Sequence, residues 1–345
     1  MRRFLLAVVA AAGCGGGSSA APDSNTTDLP PDGPPDAPAD RLQVIYDQVD
    51  GDHILQLVKE MSGVVPVTVD GQQLQITERF DDVGRQNYRA YWTQYMKGLG
   101  LQVNALHFAA TTDSRATDDL EAVLPGKSAD SFVIIVHYDS MGPSGAETTN
   151  PAADDDMSGM SMQLETARIL VSHKTELEKT VRFVAADAEE LGGLVGARNY
   201  ASYIKTLSES SGFAITAAID DEQSGWNCRA DAACPDATVP TFDIFSCSGD
   251  SQAFAYPAMG DAFETIVTTY SPLKVVRDCM AQNSDHYAMW EIGVPTVVFS
   301  EHDPFINPHF DQEGNDFFSA IDGDYLVSIA KPAITFQATL AGITK

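Results

Sequence analysis

The fold of this chain is decided by the stretch FVIIVHYDS at residues 132–140. It opens with five apolar residues, four of them β-branched, which predict a strand buried on both faces, as in a parallel sheet. His137 and Asp139 follow the strand directly. Ligands in open α/β sheets are held just beyond the carboxyl ends of strands. On position alone, His137 and Asp139 are therefore candidate site residues.

Three adjacent acids come next, in the segment ADDDMSG at residues 153–159. They lead into a stretch whose apolar residues have helical spacing, from Met160 to Leu170. A helix N-terminus favours negative charge only modestly, whereas carboxylates placed side by side repel one another. Because a bound cation removes that conflict, the segment indicates a metal site.

Acids also follow two further predicted strands. Residues 181–186 lead to Glu189 and Glu190, and residues 214–219 lead to Asp220. Adjacent glutamates on a strand-to-helix turn point in different directions, so one can bind a metal while the other faces a water. Two-metal hydrolases need that division of labour. The alternative is that both glutamates simply favour the dipole at a helix start.

The order of predicted elements indicates an α/β fold. We expect one domain over residues 41–345, with a mixed, mostly parallel central sheet and helices on both faces. The predicted helices are residues 44–61, 82–99, a helix entered from the acids at 154–156, 191–204 and 325–340. The predicted strands are residues 101–108, 120–124, 132–136, 181–186, 214–219 and 296–300.

The N-terminus has the features of an export signal. A positive pair, Arg2 and Arg3, precedes an apolar run, and the small-residue segment AAGC at 11–14 resembles the lipidation site of a bacterial lipoprotein. The alternative is ordinary secretory cleavage. Residues 15–40 are rich in Gly, Ser, Pro and Asp and predict a disordered tether. We expect an exported protein of the cell envelope, at the outer membrane or its periplasmic face, or a secreted one.

The charge balance excludes some partners. With 49 acidic against 21 basic side chains, the net charge is −28. Nucleic acid and anionic membrane surfaces would repel such a chain, so membrane attachment is expected only through a lipid on Cys14. The other four cysteines predict disulfides rather than metal ligation in an exported chain. The favoured pairs are Cys228 with Cys234 and Cys247 with Cys279.

Six sequence blocks, taken in order, resemble the co-catalytic zinc exopeptidases of the bacterial leucyl aminopeptidase type. That superfamily also includes glutamate carboxypeptidase-like enzymes and glutaminyl cyclases. The blocks are HYDS (137–140), ADDDMSG (153–159), AEELGGLVGA (188–197), IDD (219–221), SDHYAMWEIGVP (284–295) and NPHFD (307–311). The resemblance implies a metallopeptidase with a peptide substrate and two divalent metal ions, zinc in the first place.

The resemblance also implies metal ligands. His137 and Asp220 would bind one ion, Asp155 would bridge both, and Glu190 would bind the other. The family tends to have a cis peptide after the bridging aspartate, here between Asp155 and Asp156.

Two more residues receive catalytic roles from the resemblance. Glu189 matches the general base, which takes a proton from the bridging water as it attacks the peptide carbonyl and later passes it to the leaving amine. Asp139 would orient His137 through its other ring nitrogen. Asp285 and His286 would either touch the substrate or support the site. Trp226, Tyr287 and Trp290 are open between a specificity pocket and core packing.

The last block departs from the family pattern. Asp311 stands where the family has a histidine that completes the second metal site, and His309 lies two residues earlier, on the same side of an extended segment. With Asp311 bound, the second ion would have only oxygen ligands, which admits Mn²⁺, Mg²⁺ or Ca²⁺. With His309 bound, zinc is favoured again. A lost second site is the third option.

We expect an active zinc aminopeptidase. The alternatives are a peptide-binding pseudoenzyme, a carboxypeptidase or a glutaminyl cyclase. Retention of Glu189 argues against a pseudoenzyme, and the third Asp of the acidic segment argues against a cyclase. A carboxypeptidase needs a basic cluster for the substrate carboxylate, and the sequence has no obvious one.

Overall fold

A mixed sheet of eight strands lies at the centre of the computed structural model, within the residues that the structure describes: 40–112, 114–143, 149–229, 241–245, 256–278, 284–310 and 316–345. A two-stranded hairpin, β1 and β2, lies apart from it. The strands are β1 Val67–Val69, β2 Gln72–Leu74, β3 Gln102–Phe108, β4 Thr117–Leu124, β5 Ser128–His137, β6 Lys179–Ala186, β7 Ile215–Asp221, β8 Thr241–Phe245, β9 Lys274–Asp278 and β10 Thr296–Glu301. The helices are α1 Arg41–Gln48, α2 Gly51–Met61, α3 Asp82–Gly98, α4 Met157–Ser172, α5 Val195–Ser211, α6 Pro257–Tyr270, α7 His286–Glu291 and α8 Gly323–Leu340.

The strand order of the large sheet is β3-β4-β6-β5-β7-β10-β8-β9. Strands β6, β5, β7 and β10 lie side by side and parallel, while β4 pairs antiparallel with β6 and β8 pairs antiparallel with β10. The predicted mixed, mostly parallel sheet of one α/β domain is confirmed. Because the four central strands run in one direction, their carboxyl ends meet at one edge of the sheet.

Strand β5 is buried on both faces, as its sequence predicted. Phe132, Ile134 and Val136 belong to the larger core with α2, α3, α4, α6 and α8, and Val133 and Ile135 belong to a second core with α5 and α7. Helices therefore cover both faces of the sheet. Alternation of side chains along the strand distributes the apolar run between the two cores.

The single helix predicted over residues 44–61 is wrong. The structure has two helices, α1 and α2, separated at Val49 and Asp50, both of which have extended backbone. Asp50 accepts a hydrogen bond from the backbone N–H of His53 and so caps the start of α2. A capping aspartate favours a helix start over helix continuation, and the apolar periodicity alone did not show this.

The predicted helix over residues 191–204 begins later, at Val195, and runs to Ser211. Between β6 and α5 the chain forms an irregular turn, with positive φ at Ala188 and Leu194. The two glutamates, Glu189 and Glu190, lie on this turn and precede the helix by several residues. A dipole at the helix start therefore does not explain them.

Several predictions lie outside the described residues. The export signal and tether at residues 1–39 are among them, and each predicted disulfide pair includes at least one such cysteine, Cys234, Cys247 or Cys279. These stay predictions. Among the described helices, none combines the length and hydrophobicity needed to cross a membrane. The hairpin, β8, β9, α6 and α7 were not predicted from the sequence.

Candidate metal centre

A cavity of about 430 Å³ opens at the edge where the parallel strands end. Residues from five of the six sequence blocks meet in its wall, although they are far apart in the chain. The lining residues are His137, Met141, Asp155, Glu189, Glu190, Gly193, Glu222, Gln223, Ser284, His286, Val298, Ser300 and Phe310.

His137 is the last residue of β5 and is buried. Its Nε2 lies 3.1 Å from Oδ1 of Asp155, so the two predicted ligands of one ion are in contact. Its Nδ1 lies 3.7 Å from Oδ1 of Asp139, beyond hydrogen-bonding distance. Asp139 instead accepts hydrogen bonds from the backbone N–H groups of Glu189 at 3.0 Å and Leu191 at 3.1 Å. Its clearest role in the structure is therefore to hold the turn that carries the two glutamates.

The three acids of the segment ADDDMSG have different surroundings. Asp155 lines the cavity, and the peptide between Asp155 and Asp156 is cis, as the family resemblance implied. Asp156 caps α4 by accepting from the N–H of Gly159. Asp154 lies on the side away from the cavity, where it accepts from the N–H of Gly225 at 2.6 Å and from Nδ2 of Asn307 at 3.1 Å.

Asp316 fixes the backbone of this acidic segment through hydrogen bonds. Its carboxylate accepts hydrogen bonds from the backbone N–H groups of Asp154 at 2.9 Å and Asp155 at 2.8 Å. Sequence reasoning missed Asp316. None of the six quoted sequence blocks includes it, and the contact spans 162 residues of the chain.

The sequence analysis expected a ligand from Asp220, on β7, but the structure places Glu222, the residue after β7, in the cavity wall. Glu222 lines the cavity, and Asp220 does not. Strand β7 continues through Asp221, so the side chain that reaches past the strand end on the same face is two residues beyond Asp220. The intervening Asp221 faces the other way and accepts from Nε2 of Gln337 on α8 at 2.7 and 2.8 Å.

Asp220 is not a lining residue but is hydrogen-bonded to residues of the cavity wall. Its Oδ2 accepts from the backbone N–H of His286 at 2.8 Å and from Oγ of Ser284 at 3.1 Å. Ser284 Oγ is also hydrogen-bonded to the carboxylate of Glu222. Asp220 therefore anchors the start of α7 against β7.

The structure decides some of the roles that the sequence left open for residues 284–295. His286 lines the cavity, and its ring meets Trp290 edge-on at 4.7 Å. Trp290 donates to the carbonyl of Thr296 and is not among the lining residues; neither are Tyr287 and Trp226. For these three aromatics the packing interpretation fits better than a specificity pocket.

The residues present fit a divalent cation. One ligand atom from each of His137, Asp156 and Glu222 lies within 4.8 Å of the others. Burial raises the pKa of Asp156 and Glu189 well above the ordinary value, and that of Glu222 to about 8, with nearby carboxylates adding to the effect in each case. Positive charge at this point would relieve the repulsion.

Buried polar atoms without a hydrogen-bond partner in the described part of the chain also indicate a bound cation. Such atoms are rare in folded proteins, and a bound ion is one of their common explanations. Around the cavity they are Nδ1 of His137, Oδ2 of Asp156, Oδ1 of Asp220, both carboxylate oxygens of Asp285 and Nε2 of His286.

The choice between Asp311 and His309 is not decided by the structure. Asp311 lies outside the described residues. His309 donates its backbone N–H to Oδ1 of Asn307 at 2.8 Å, and the next residue, Phe310, lines the cavity. The segment therefore passes beside the site.

Fold and site together define an α/β protein with an acid-rich candidate metal centre at the carboxyl edge of its sheet. A family model described as Peptidase family M28 matches residues 119–336. The chain belongs to Peptidase family M28, a membership that suggests bound divalent metal ions.

Individual relatives agree with this membership. Leucine aminopeptidase 1 of Sclerotinia sclerotiorum is 27% identical over 273 residues, which cover 75% of this chain and 66% of the relative. The chain spans about half to two thirds of the length of the curated relatives it matches.

Solved structures share the fold at low sequence identity. A zinc aminopeptidase from Bacillus subtilis has a TM-score of 0.65 at 14% identity, covering 85% of this chain and 95% of that one. A Porphyromonas gingivalis glutaminyl cyclase has a TM-score of 0.63 at 16% identity, covering 85% and 99%. Fold alone therefore does not separate the two activities.

The first prediction tests the assignment on β7. Glu222→Gln removes a charged oxygen ligand, so we expect metal affinity to fall by roughly tenfold or more. Asp221→Asn is the matched control, because Asp221 is the neighbouring buried acid and its side chain faces away from the cavity, toward Gln337. It should keep the metal content of the wild type. Metal is measured by elemental analysis after dialysis against a graded chelator series.

Asp220→Asn separates the two assignments. We expect it to weaken metal binding less than Glu222→Gln, because Asp220 acts through the start of α7. Loss of metal in Asp220→Asn with normal content in Glu222→Gln would restore the sequence-based assignment.

Proposed function

We propose that this chain is a metal-dependent aminopeptidase that removes N-terminal residues from peptides. The observation that carries the proposal is the position of Glu189. Its carboxylate lies in the cavity wall together with His137, Asp155 and Glu222, and its backbone N–H is fixed by Asp139. A carboxylate held beside a candidate metal centre is placed for general base catalysis.

The proposed ligands are assigned by position in the cavity wall, which Asp155 lines, whereas Asp156, although close to His137 and Glu222, caps α4. His137, Asp155 and Glu222 would hold one divalent ion, and Asp155 and Glu190 would hold a second one together with Asp311 or His309. We propose zinc at the first position, because an imidazole with carboxylates suits it. When bound, such ions supply Lewis-acid polarisation of the peptide carbonyl and lower the pKa of water.

The chain's own residues would move the proton. Glu189 would take a proton from the attacking water as the new C–O bond forms. It would return that proton to the departing amine nitrogen as the C–N bond breaks. Asp139 keeps Glu189 in place by accepting a hydrogen bond from its backbone N–H.

The charge of the cavity favours an amino terminus over a carboxyl terminus. Among the described residues that line it are four acids, Asp155, Glu189, Glu190 and Glu222, and none is Lys or Arg. A free ammonium group is attracted to such a site, whereas a terminal carboxylate is repelled. This supports an aminopeptidase over a carboxypeptidase.

The second prediction tests Glu189. In Glu189→Gln we expect metal content to be retained and turnover to fall by about 10²- to 10⁴-fold, because the amide cannot accept the proton. The measurement is hydrolysis of aminoacyl p-nitroanilides by protein of verified metal content. Glu291→Gln is a control, since Glu291 pairs with Arg198 on the surface and should leave turnover unchanged.

A substrate panel tests the reaction itself. We expect hydrolysis of free aminoacyl substrates and none of their N-acetylated forms. Activity only on blocked substrates, or cyclisation of an N-terminal glutamine without hydrolysis, would refute the aminopeptidase proposal. Near-normal turnover in Glu189→Gln would remove that residue from the mechanism.

The third prediction concerns the second ion. We propose Asp311 as its ligand, on its place in the sequence block, with His309 as the competitor. Asp311→Ala should lose one equivalent of metal, while His309→Ala should keep both. The reverse pattern would assign the site to His309, and a wild type that binds a single equivalent would show that the second site is lost.

The fourth prediction concerns location. We propose that the protein is anchored in the cell envelope through a lipid on Cys14, which the segment AAGC supports. The wild type should partition with membranes in detergent phase separation, and Cys14→Ser should be released or left unprocessed. Recovery of all wild-type protein as a soluble secreted form would indicate ordinary signal cleavage instead.

A further inference from the structure

Arg79 is a buried arginine in the segment between β2 and α3 and is 0% exposed. It precedes residues 119–336, which the family model matches. Arginine is almost never buried without a reason, because its charge must be removed from water. The surroundings of this side chain therefore need an explanation.

The guanidinium group donates to backbone carbonyls from three separate segments. Its acceptors are the carbonyl oxygens of Tyr138 at 2.7 Å, Met61 at 2.9 Å, Pro151 at 2.9 Å and Ala152 at 3.2 Å. In the described part of the chain, no carboxylate oxygen lies within 4.0 Å of it. The group serves as a hydrogen-bonding fork rather than as a partner in an ion pair.

Three of the four acceptors belong to the two segments that carry the proposed ligands. Tyr138 directly follows His137, and Pro151 and Ala152 come shortly before Asp155. One rigid, planar group thus connects the end of β5 to the acidic segment. The backbone N–H of Arg79 adds a further link to the β5 end, donating to Oγ of Ser140 at 3.0 Å.

The surrounding aromatic rings restrict this arrangement further. Tyr88 of α3 lies under the guanidinium, 5.8 Å from ring centre to Cζ, and its ring stacks on that of Tyr138 at 5.2 Å. Arg79 is therefore held from one side by a ring and from the others by carbonyl groups. Its positive charge also lies near the acid-rich centre, where negative charge favours it.

We infer that Arg79 is a positioning residue that sets the spacing between the His137 and Asp155 segments, so that metal affinity depends on its guanidinium fork. This rests on the proposed metal-dependent function. A lysine has a single ammonium group on a flexible stem and cannot bridge the same four carbonyls in a fixed geometry. Partners that orient metal ligands typically contribute 10- to 100-fold to metal affinity.

The fifth prediction tests Arg79 in the full chain. We expect Arg79→Lys to bind zinc roughly 10- to 100-fold more weakly than the wild type, measured by competition with a chromophoric chelator. Thermal melting of the metal-free proteins is recorded alongside. The loss in affinity should exceed what any change in melting temperature explains.

Arg182→Lys is the matched control. Arg182 is also a buried arginine, on β6, but it donates to Oγ of Ser131 at 3.0 Å and to Glu121 at 2.7 Å, near the start of β5 and away from the cavity. Its lysine variant should melt at a lower temperature and bind zinc within about twofold of the wild type, because no ligand segment depends on it.

The outcomes are separable. Unchanged zinc affinity in Arg79→Lys, with melting lowered as in Arg182→Lys, would show a purely structural role and overturn the inference. If Arg79→Lys does not fold, Tyr88→Leu removes the ring that lies under the guanidinium and should weaken zinc binding severalfold; unchanged affinity there would also overturn the inference. A wild type that binds no metal would refute the proposed function itself.

Discussion

Repulsion among carboxylates at one edge of the sheet is the constraint on which the rest of this structure depends. Asp155, Glu189, Glu190 and Glu222 line one cavity, and Asp156, Asp220 and Asp285 are buried close behind them. Burial and mutual proximity both disfavour the charged forms. The arrangement is coherent only if positive charge is supplied at its centre, and membership of Peptidase family M28 fits a divalent cation there.

The chain holds these acids in place mainly through backbone hydrogen bonds. Asp139 accepts from the turn of Glu189, and Asp316 accepts from the acidic segment that includes Asp155. Asp139 and Asp316 are acceptors, whereas Arg79 is a donor: its guanidinium donates hydrogen bonds to backbone carbonyls of both ligand segments. These donors and acceptors thus fix the backbone of the segments that carry the proposed ligands, as preorganised sites require.

Much of the fold could be predicted from local sequence. The apolar run of β5 indicated a doubly buried strand, and the alternation of strands and helices indicated a mostly parallel sheet, as the structure confirms. The predictions that were wrong or missing also have local causes. Apolar periodicity continued through Asp50, where a cap divides α1 from α2, and short strands such as β8 and β9 carry too few residues for a pattern to be distinct.

By itself, the sequence determined the family resemblance, the mostly parallel sheet and the position of His137 at the end of a strand, because each follows from residue order. The roles expected of Asp155, Glu189 and Glu190 came from the family blocks, since Asp155 lies in a loop 18 residues beyond His137. Tertiary structure decided what depends on where a strand stops and on contacts between distant segments. It placed Glu222 in the cavity wall, just beyond the end of β7, which continues through Asp221. It also revealed Asp316 and Arg79, whose partners lie 161 and 72 residues away. No local pattern encodes such contacts, because they exist only once the sheet has brought the segments together.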